Sequence, residues 1–308
     1  MASAITLTVV LPGPGAESGL DRAKEKIRDV ERTCSRFDPA SALSRLNAEP
    51  DRWHDVPTTL VAAITAAERA HRVTGGMFDP RILTTLLDWG YDRSLPFAEG
   101  DVEQGRAAAS QHAARAADGP WRPGIAHDGG RWRVHLRGDP IDLGGIGKGL
   151  AARWAAAELA AVGRGHLVDA GGDCAFGGVG PEGGGWRIGV EDPAGGAEPV
   201  LVLELIDGGC ATSSIRLRRW LVDGAPVHHL VDPRTGRPGG DGLAAVTVAA
   251  PDPARSEVLS KTLFLGGAAG LGARADHLGL AAAWVELDGT VGTSTAMEPL
   301  VIWRRARV

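Results

Sequence analysis

Cysteine is scarce in this chain, which has three in 308 residues. Cys34, Cys174 and Cys210 lie far apart and form no CxxC pair, so the sequence indicates neither a zinc site nor a disulfide framework. A sparse, odd number of cysteines is more typical of a reducing compartment than of an oxidising one.

Long apolar runs are also missing. The N-terminal stretch MASAITLTVVLPGPG has no basic region and only a short apolar run, so it does not have the pattern of a signal peptide. No later run reaches the length that a membrane span requires. The formal net charge of -5 gives no reason to expect nucleic acid or an anionic membrane as a general partner. We therefore expect a cytoplasmic protein without a membrane anchor.

Glycine and proline, by contrast, are plentiful. The 44 glycines and 19 prolines are dispersed between periodic segments, which indicates many turns rather than disorder. Strand patterns alternate with helix patterns, and several strands follow each other as hairpins. We predict an α+β (mixed α/β) fold in which mixed sheets are flanked by helices. The length suits a single domain over residues 1–308, with room for two closely packed lobes whose boundary the sequence does not place.

Apolar spacing predicts the individual elements. Helices are predicted to start near Ser18, and to span 57–73, 149–162, about 254–265 and 271–278, with a short one after the loop at MFDPR. Residues 35–51 are predicted to form a polar loop, and residues 95–130 are polar and alanine-rich without a clear pattern. The predicted strands are 5–11, 131–136 with 141–143 as its extension, 166–170, 186–190, 201–206, 218–223, 227–232, 244–250, 281–288 and 300–308.

The stretch GDPIDLGGIGKGL (138–150) places five glycines and Lys148 between a strand-like and a helix-like run. Glycines allow the backbone to approach a ligand closely, and the N–H groups at a helix start attract phosphate. The stretch is neither a Walker A loop, because Asp142 and Gly149 stand at two required positions, nor GxGxxG, because Leu150 replaces the third glycine. Two alternatives stay open: an anion site, or a glycine turn whose lysine points to solvent.

Other conspicuous residues also have ordinary structural interpretations. His229 is compatible with a core histidine bonded to backbone, and Asp142 with a carboxylate at a helix start. The sequence from Asp232 to Gly236 has the composition of a turn after a strand. GxSxG, HExxH and EF-hand patterns are absent, so hydrolase and metal-motif alternatives gain no support.

Six stretches, taken in order, resemble the ApbE family of FAD:protein FMN transferases over about residues 30–300. Each motif is weak alone, but their order and the HxxDPxTG pattern are specific. The stretches are SRFDPASALSRLN (35–47), GGMFDPRILTTLLDWGYD (75–92), DLGGIGKGLAARWA (142–155), VDAGGDCAFGG (168–178), ATSS (211–214) and HHLVDPRTGRP (228–238).

The resemblance implies an activity and its ligands. Members of the family bind FAD between an α/β lobe and a smaller lobe, use magnesium at the pyrophosphate, and transfer FMN to a threonine hydroxyl of an acceptor protein with release of AMP. Two alternatives remain open: an FAD-binding protein that has lost transfer activity and acts as a carrier or redox module, and an FAD pyrophosphatase that uses water as acceptor.

The resemblance also implies roles for individual residues. His229 would be the catalytic base, Lys148 would meet the pyrophosphate, and Asp142 would hold a polar part of FAD. Phosphoryl transfer needs positive charge at the phosphate and a base for the attacking hydroxyl, which fits these residue types. The other expected FAD contacts are Phe37, Met77, Phe78, Asp79, Gly171, Gly172, Thr212 and Ser213, and the expected metal positions are the carbonyl of Gly145 and residues Glu257 and Lys261.

The sequence departs from the family at two of those metal positions. Glu257 stands where the family has aspartate, and Lys261 stands where it has threonine; a protonated lysine has no lone pair for a metal. Either the Lys261 ammonium replaces the ion beside the pyrophosphate, or Glu257 and Lys261 form an ordinary i,i+4 pair worth about 0.2–0.5 kcal/mol. The first interpretation predicts FAD binding that depends little on magnesium, and it puts transfer activity in doubt.

The N-terminal part departs as well. The family's lead-in, with its FAD-contacting methionine, is not recognisable in MASAITLTVVL. Many members are exported, whereas this sequence shows no export signal, so the acceptor protein is expected to be reachable from the cytoplasm.

Overall fold

The computed structural model describes residues 4–93, 103–104 and 119–306 of the chain. Among these residues, helices alternate with strands that pair mostly in antiparallel fashion, which confirms the predicted α+β class. Much of the 95–130 stretch, which showed no pattern, lies outside the described residues. No helix in the described part of the chain is both long enough and apolar enough to cross a membrane.

The described elements are numbered in chain order. The helices are α1 (Ala16–Cys34), α2 (Ala42–Ala48), α3 (Thr58–Val73), α4 (Leu83–Asp88), α5 (Gly147–Leu159), α6 (Pro253–Leu265) and α7 (Leu271–His277). The strands are β1 (Ile5–Val10), β2 (His54–Val56), β3 (Glu103–Gln104), β4 (Gly124–Asp128), β5 (Arg131–His135), β6 (Gly165–Ala170), β7 (Cys174–Gly178), β8 (Trp186–Val190), β9 (Leu201–Leu205), β10 (Gly208–Ser214), β11 (Arg219–Val222), β12 (Ala225–His228), β13 (Val231–Asp232), β14 (Arg237–Pro238), β15 (Leu243–Ala250), β16 (Ala281–Glu286), β17 (Val291–Thr293) and β18 (Val301–Arg304).

The chain separates into two compact units, each assembled from distant segments. The first consists mainly of Arg28–Gly147 and Leu217–Gly239. The second consists of Ser3–Ile27, Lys148–Arg216 and Gly240–Val308. The single-domain assignment made from the sequence stays a prediction.

The second unit is built on a seven-stranded sheet with the order β1-β6-β7-β10-β15-β16-β17, in which every neighbouring pair is antiparallel. One core lies between this sheet and a smaller sheet, β18-β9-β8, because apolar residues of both bury together, among them Phe176, Trp186 and Leu203. Helix α6 packs on β10 and β15. That packing fixes the position of the α6 side chains relative to the sheet.

The first unit carries the short sheets β2-β5-β4, β12-β11-β3 and β13-β14. Helix α3 buries an apolar face that includes Leu60 and Ile64, as its spacing predicts. A second apolar cluster surrounds Trp220, which is fully buried and packs with Leu86 and Tyr91. The indole N–H of Trp220 donates to the carbonyl of Trp89 at 2.8 Å, so this ring is satisfied within the core.

Three sequence predictions of local structure are wrong. The predicted loop 35–51 contains α2, whose first turn is capped by the Ser41 hydroxyl. The predicted strand extension at 141–143 is a loop, because the Asn47 side chain binds both the N–H and the carbonyl of Ile141. The predicted strand 227–232 is split into β12 and β13, since the chain turns at His229, whose N–H donates to the Arg218 carbonyl.

Candidate functional site

The glycine-rich stretch leads into α5, and Gly149 allows α5 to touch the start of α6. A Cβ atom on Gly149 would lie 2.6 Å from the Cα of Ala254 and 2.7 Å from the carbonyl oxygen of Pro253. Both obstacles are backbone, so only glycine fits at this position. The close approach brings the Gly149 N–H to within 2.8 Å of Oε2 of Glu257.

Lys148 lies between two buried carboxylates. Its Nζ donates to Oδ2 of Asp173, on the turn between β6 and β7, and to Oε1 of Glu257 at 3.0 Å. The Lys148 side chain is 19% exposed and each carboxylate side chain 3%. This pairing excludes the alternative in which the lysine simply points to solvent.

A fourth charge belongs to the same group. Lys261 lies one helical turn after Glu257 on α6. Its positive charge and that of Lys148 favour the ionised form of the Glu257 carboxyl, and the negative charge of Asp173 opposes it. Burial raises the pKa of the Glu257 carboxyl, and the Lys148 ammonium opposes that rise. We call Lys148, Asp173, Glu257 and Lys261 the ion cluster; all four belong to the second unit.

Hydroxyl side chains of β10 lie beside α6 and β15. The Ser213 and Ser260 hydroxyls are 3.0 Å apart, and Ser260 donates to the Glu257 carbonyl at 3.0 Å. The Thr212 hydroxyl is 2.8 Å from that of Thr247, its cross-strand partner. In this structure, Ser213 therefore helps to hold α6 on the sheet and Thr212 links β10 to β15, and the contact of both residues with FAD stays a prediction.

Gly171 and Gly172 form the exposed turn between β6 and β7. Both have positive φ, of 70° and 91°, a conformation that glycine adopts without strain. The Gly172 N–H donates to Asp169 at 2.8 Å, and space beyond its Cα is open. The turn thereby places Asp173 in contact with Lys148. The two glycines, which have no side chains, leave the backbone of the turn accessible beside the ion cluster.

In the first unit, Asp142 is held by Arg36. The Nε of Arg36 is 3.5 Å from Oδ1 of Asp142, and the Arg36 side chain is only 4% exposed. Its guanidinium also donates to the Tyr91 carbonyl at 2.6 Å and lies 4.0 Å from the ring centroid of Phe37. Phe37 itself is 40% exposed. One face of this ring is thus covered by a buried cation, and enough of the ring is exposed to contact a ligand.

The segment Met77–Asp79 lies deeper than Phe37. Phe78 and Asp79 are buried, and the Asp79 carboxylate accepts hydrogen bonds from Nε and Nη2 of Arg81, the shortest at 2.7 Å. Asp79 also lines a cavity of about 410 Å³ together with His71 and Trp121, whereas Met77 is half-buried. In this structure, Phe78 and Asp79 are buried and Asp79 is paired with Arg81, and contact of the segment with FAD stays a prediction.

His228 ends β12, His229 follows it directly, and the two differ in environment. Burial lowers the pKa of His228 to about 4, so this ring is neutral at neutral pH, and its Nδ1 accepts the Leu230 N–H. His229 is half-buried in the bend between β12 and β13. The same bend leads to Asp232, whose pKa is held below its ordinary value by hydrogen bonds from Arg234 despite its burial.

Sequence reasoning missed two residues that organise these groups. Asp173 lies inside the quoted stretch VDAGGDCAFGG, and only its pairing with Lys148 distinguishes it from a turn residue. Arg36 lies inside SRFDPASALSRLN, directly before Phe37. A buried charge beside a candidate ligand contact is the signal that could have identified either residue, and it requires the fold.

Magnesium, which the resemblance implies, does not fit the ion cluster. Both oxygens of Glu257 are already bound, one by Lys148 and one by the Gly149 N–H. Mg²⁺ requires about six oxygen ligands in near-octahedral geometry, whereas the Lys148 ammonium already binds both carboxylates of this site. In the described ranges, no group of three or more His, Cys, Asp or Glu side chains could hold a metal ion.

Comparison with known proteins first defines a class of fold. The chain superimposes on the ApbE protein of Thermotoga maritima with a TM-score of 0.78 and 25% identity, covering 97% of this chain and 96% of that one. The flavinyl transferase ApbE of Pseudomonas stutzeri gives a TM-score of 0.76 at 23% identity, covering 98% and 95%. The architecture is therefore that of the ApbE proteins.

Sequence comparison then gives the family. The model described as "ApbE family" matches residues 1–284, and the chain belongs to that family. It is 28% identical to the FAD:protein FMN transferase of Klebsiella pneumoniae over 244 residues, which are 77% of this chain and 67% of that protein. It is also 28% identical to the FAD:protein FMN transferase of Treponema pallidum over 269 residues, 82% and 73% of the two chains. The family recognised from the motif order is confirmed.

Proposed function

We propose that this protein is an FAD:protein FMN transferase, which moves FMN from FAD to a threonine hydroxyl of an acceptor protein and releases AMP. The observation that carries the proposal is the similarity to relatives of that name over more than three quarters of the chain, 77% and 82% in the two cases above. The family match over residues 1–284 agrees with it.

The reaction is a phosphoryl-type displacement. The threonine oxygen attacks the phosphorus on the riboflavin side of the diphosphate, and a new phosphoester bond forms. The bond from that phosphorus to the bridging oxygen breaks, and the electron pair leaves with AMP. The hydroxyl proton passes to a base. Such reactions depend on positioning and on positive charge near the phosphate oxygens.

We assign the diphosphate to the start of α5. The Lys148 ammonium and the glycine backbone before it supply positive charge and bare N–H groups, which are the features that favour a phosphate. Asp173 and Glu257 hold Lys148 in one place, so little side-chain entropy is lost when the substrate binds.

We assign the base to His229. Histidine is the side chain that most often serves as a general base for a hydroxyl. Its neighbour His228 is a poor candidate, because burial lowers its pKa to about 4 and it binds the backbone. The two adjacent histidines therefore offer a matched pair for mutagenesis.

Phe37 and Asp142 are the proposed contacts in the first unit. The exposed part of the Phe37 ring suits stacking on a planar ring of FAD, and Asp142 presents a carboxylate to a polar group. Both are fixed from behind by Arg36. The cytoplasmic location, and an acceptor protein reachable from the cytoplasm, remain predictions from the sequence.

Intact-mass analysis of an acceptor peptide tests the function. The full-length protein is incubated with FAD and a threonine-bearing peptide, once with excess magnesium and once with EDTA. We expect the peptide to gain the mass of an FMN phosphoester and AMP to appear in equal amount, with no gain on a peptide in which alanine replaces the threonine.

Variants and by-products complete this experiment. His229→Gln should reduce the transfer rate by about 10²–10⁴-fold, the usual contribution of a general base, and His228→Gln serves as its matched control. Free FMN with AMP and no peptide modification would show a pyrophosphatase instead. Unchanged FAD at stoichiometric occupancy would show a binding protein, and either result would refute the transferase proposal.

A further inference from the structure

The charges of the ion cluster balance one another without a metal ion. Lys148 faces two carboxylates, Asp173 and Glu257, and with both carboxylates ionised these three groups alone would carry a net charge of minus one. A negative cluster repels a diphosphate. Lys261, which acts on Glu257 from the next turn of α6, brings the cluster to two positive and two negative charges.

The hydrogen bonds of Glu257 also argue against a metal ion in the ion cluster. The two oxygens of Glu257 bind Lys148 and the Gly149 N–H at 3.0 and 2.8 Å, so this carboxylate is used inside the protein. Binding a divalent cation here would require Glu257 to give up at least one of these bonds. It would also place two further positive charges beside two ammonium groups, an arrangement that electrostatics disfavours.

We infer that Lys261 takes the place of a metal ion, so that this protein binds the diphosphate of FAD through its own lysines and does so without magnesium. The inference rests on the proposed function, because it concerns the same substrate. It assigns Lys261 as a substrate-binding residue. Its ammonium supplies the charge that the Lys148–Asp173–Glu257 group lacks, and α6 fixes it one turn beyond Glu257.

FAD affinity with and without metal tests this inference on the full chain. Quenching of flavin fluorescence gives the dissociation constant in excess EDTA and in excess magnesium chloride. For the natural sequence we expect the two constants to agree within about twofold. A loss of about tenfold or more in EDTA, which corresponds to about 1.4 kcal/mol, would overturn the inference and leave FAD binding itself intact.

Substitutions of Lys261 separate its charge from its packing. Lys261→Met keeps most of the stem, and we expect it to weaken FAD binding about tenfold or more in EDTA. Lys261→Thr replaces the ammonium by an oxygen ligand, and we expect magnesium to recover part of its affinity. Lys24→Met is the matched control, because Lys24 is an exposed lysine on α1 paired only locally with Asp21.

Direct metal binding provides a readout that is independent of flavin. Mn²⁺, followed by electron paramagnetic resonance, should bind Lys261→Thr more tightly than the natural sequence. FAD binding by Lys261→Met equal to that of the natural sequence in EDTA would overturn the role of Lys261. Absence of FAD binding in both media would overturn this inference and the proposed function together.

Discussion

Gly149 offers a sharp test of how the sequence builds the ion cluster. In Gly149→Ala the new methyl group would meet the backbone of Pro253 and Ala254 at 2.6–2.8 Å, so α5 and α6 must separate. Separation stretches the 2.8 Å bond from the Gly149 N–H to Glu257. The substitution perturbs a contact between the backbones of α5 and α6, and it removes no charged side chain.

Three free-energy contributions determine how far Gly149→Ala changes the stability of the protein. Alanine favours the helix over glycine by about 1 kcal/mol. Overpacking costs about 1–3 kcal/mol, and loss of a hydrogen bond to a charged, buried acceptor costs about 1.5–3 kcal/mol. The favourable term is the smallest, and we expect Gly149→Ala to lower the free energy of unfolding by about 1.5–5 kcal/mol.

Gly147→Ala is the matched control, since it lies in the same first turn of α5. A Cβ atom at Gly147 meets nothing within 4 Å, so the variant should be as stable as the natural sequence or up to about 1 kcal/mol more stable. Urea unfolding of the three proteins measures the comparison. Equal or higher stability of Gly149→Ala would refute the close contact between α5 and α6 as described.

Three further outcomes follow from the ion pairs and from the buried histidine. Asp173→Asn should destabilise the protein by about 3 kcal/mol in urea unfolding, and the double variant with Lys148→Met should lose clearly less than the sum of the two single variants, whereas additive losses would exclude their pairing. Arg36→Met should cost about 2–3 kcal/mol and lower the melting temperature, because it removes the buried partner of Asp142; an unchanged melting temperature would contradict that role. The pKa of His228 is about 4 in the folded protein, below its ordinary value, so the unfolded chain takes up a proton first as pH falls. The His228 contribution to the unfolding free energy should therefore fall by up to about 3 kcal/mol between about pH 6.5 and 4. The slope should be shallower in His228→Gln, in which His166, whose pKa burial also lowers, still contributes, and equal slopes would refute the assignment.

Local signals in the sequence were sufficient for several elements. Helix α6 was expected at about 254–265 and spans Pro253–Leu265, because Asp252 caps it and Pro253 suits its first turn. Helix α3 and strand β8 were expected at 57–73 and 186–190, and the structure has them at Thr58–Val73 and Trp186–Val190. Periodicity and capping are properties of neighbouring residues, which explains this agreement.

Tertiary contacts explain the segments whose secondary structure was predicted wrongly. The IDL segment has a strand pattern, but Asn47, 94 residues away, occupies the hydrogen-bonding groups of Ile141. Ser41 has the residue type of a helix cap, yet the polar composition around it concealed α2. No local rule connects these positions, so only the folded chain shows which hydrogen bonds replace the strand.

In the candidate site, too, some residues could be identified from the sequence and others only from the fold. The motif order identified the family and singled out Lys148, Glu257 and Lys261 from the sequence. It did not identify Asp173 as the partner of Lys148, because that contact depends on the β6–β7 turn approaching α5.

In the proposed function, the start of α5 holds the diphosphate of FAD. The FAD dissociation constant of Lys148→Met tests it most directly, with Lys148→Met/Glu257→Gln as a second variant in which fewer uncompensated charges are buried. We predict that both variants keep the circular dichroism spectrum of the natural sequence and bind FAD at least about tenfold more weakly. FAD affinity equal to that of the natural sequence in either folded variant would contradict the claim.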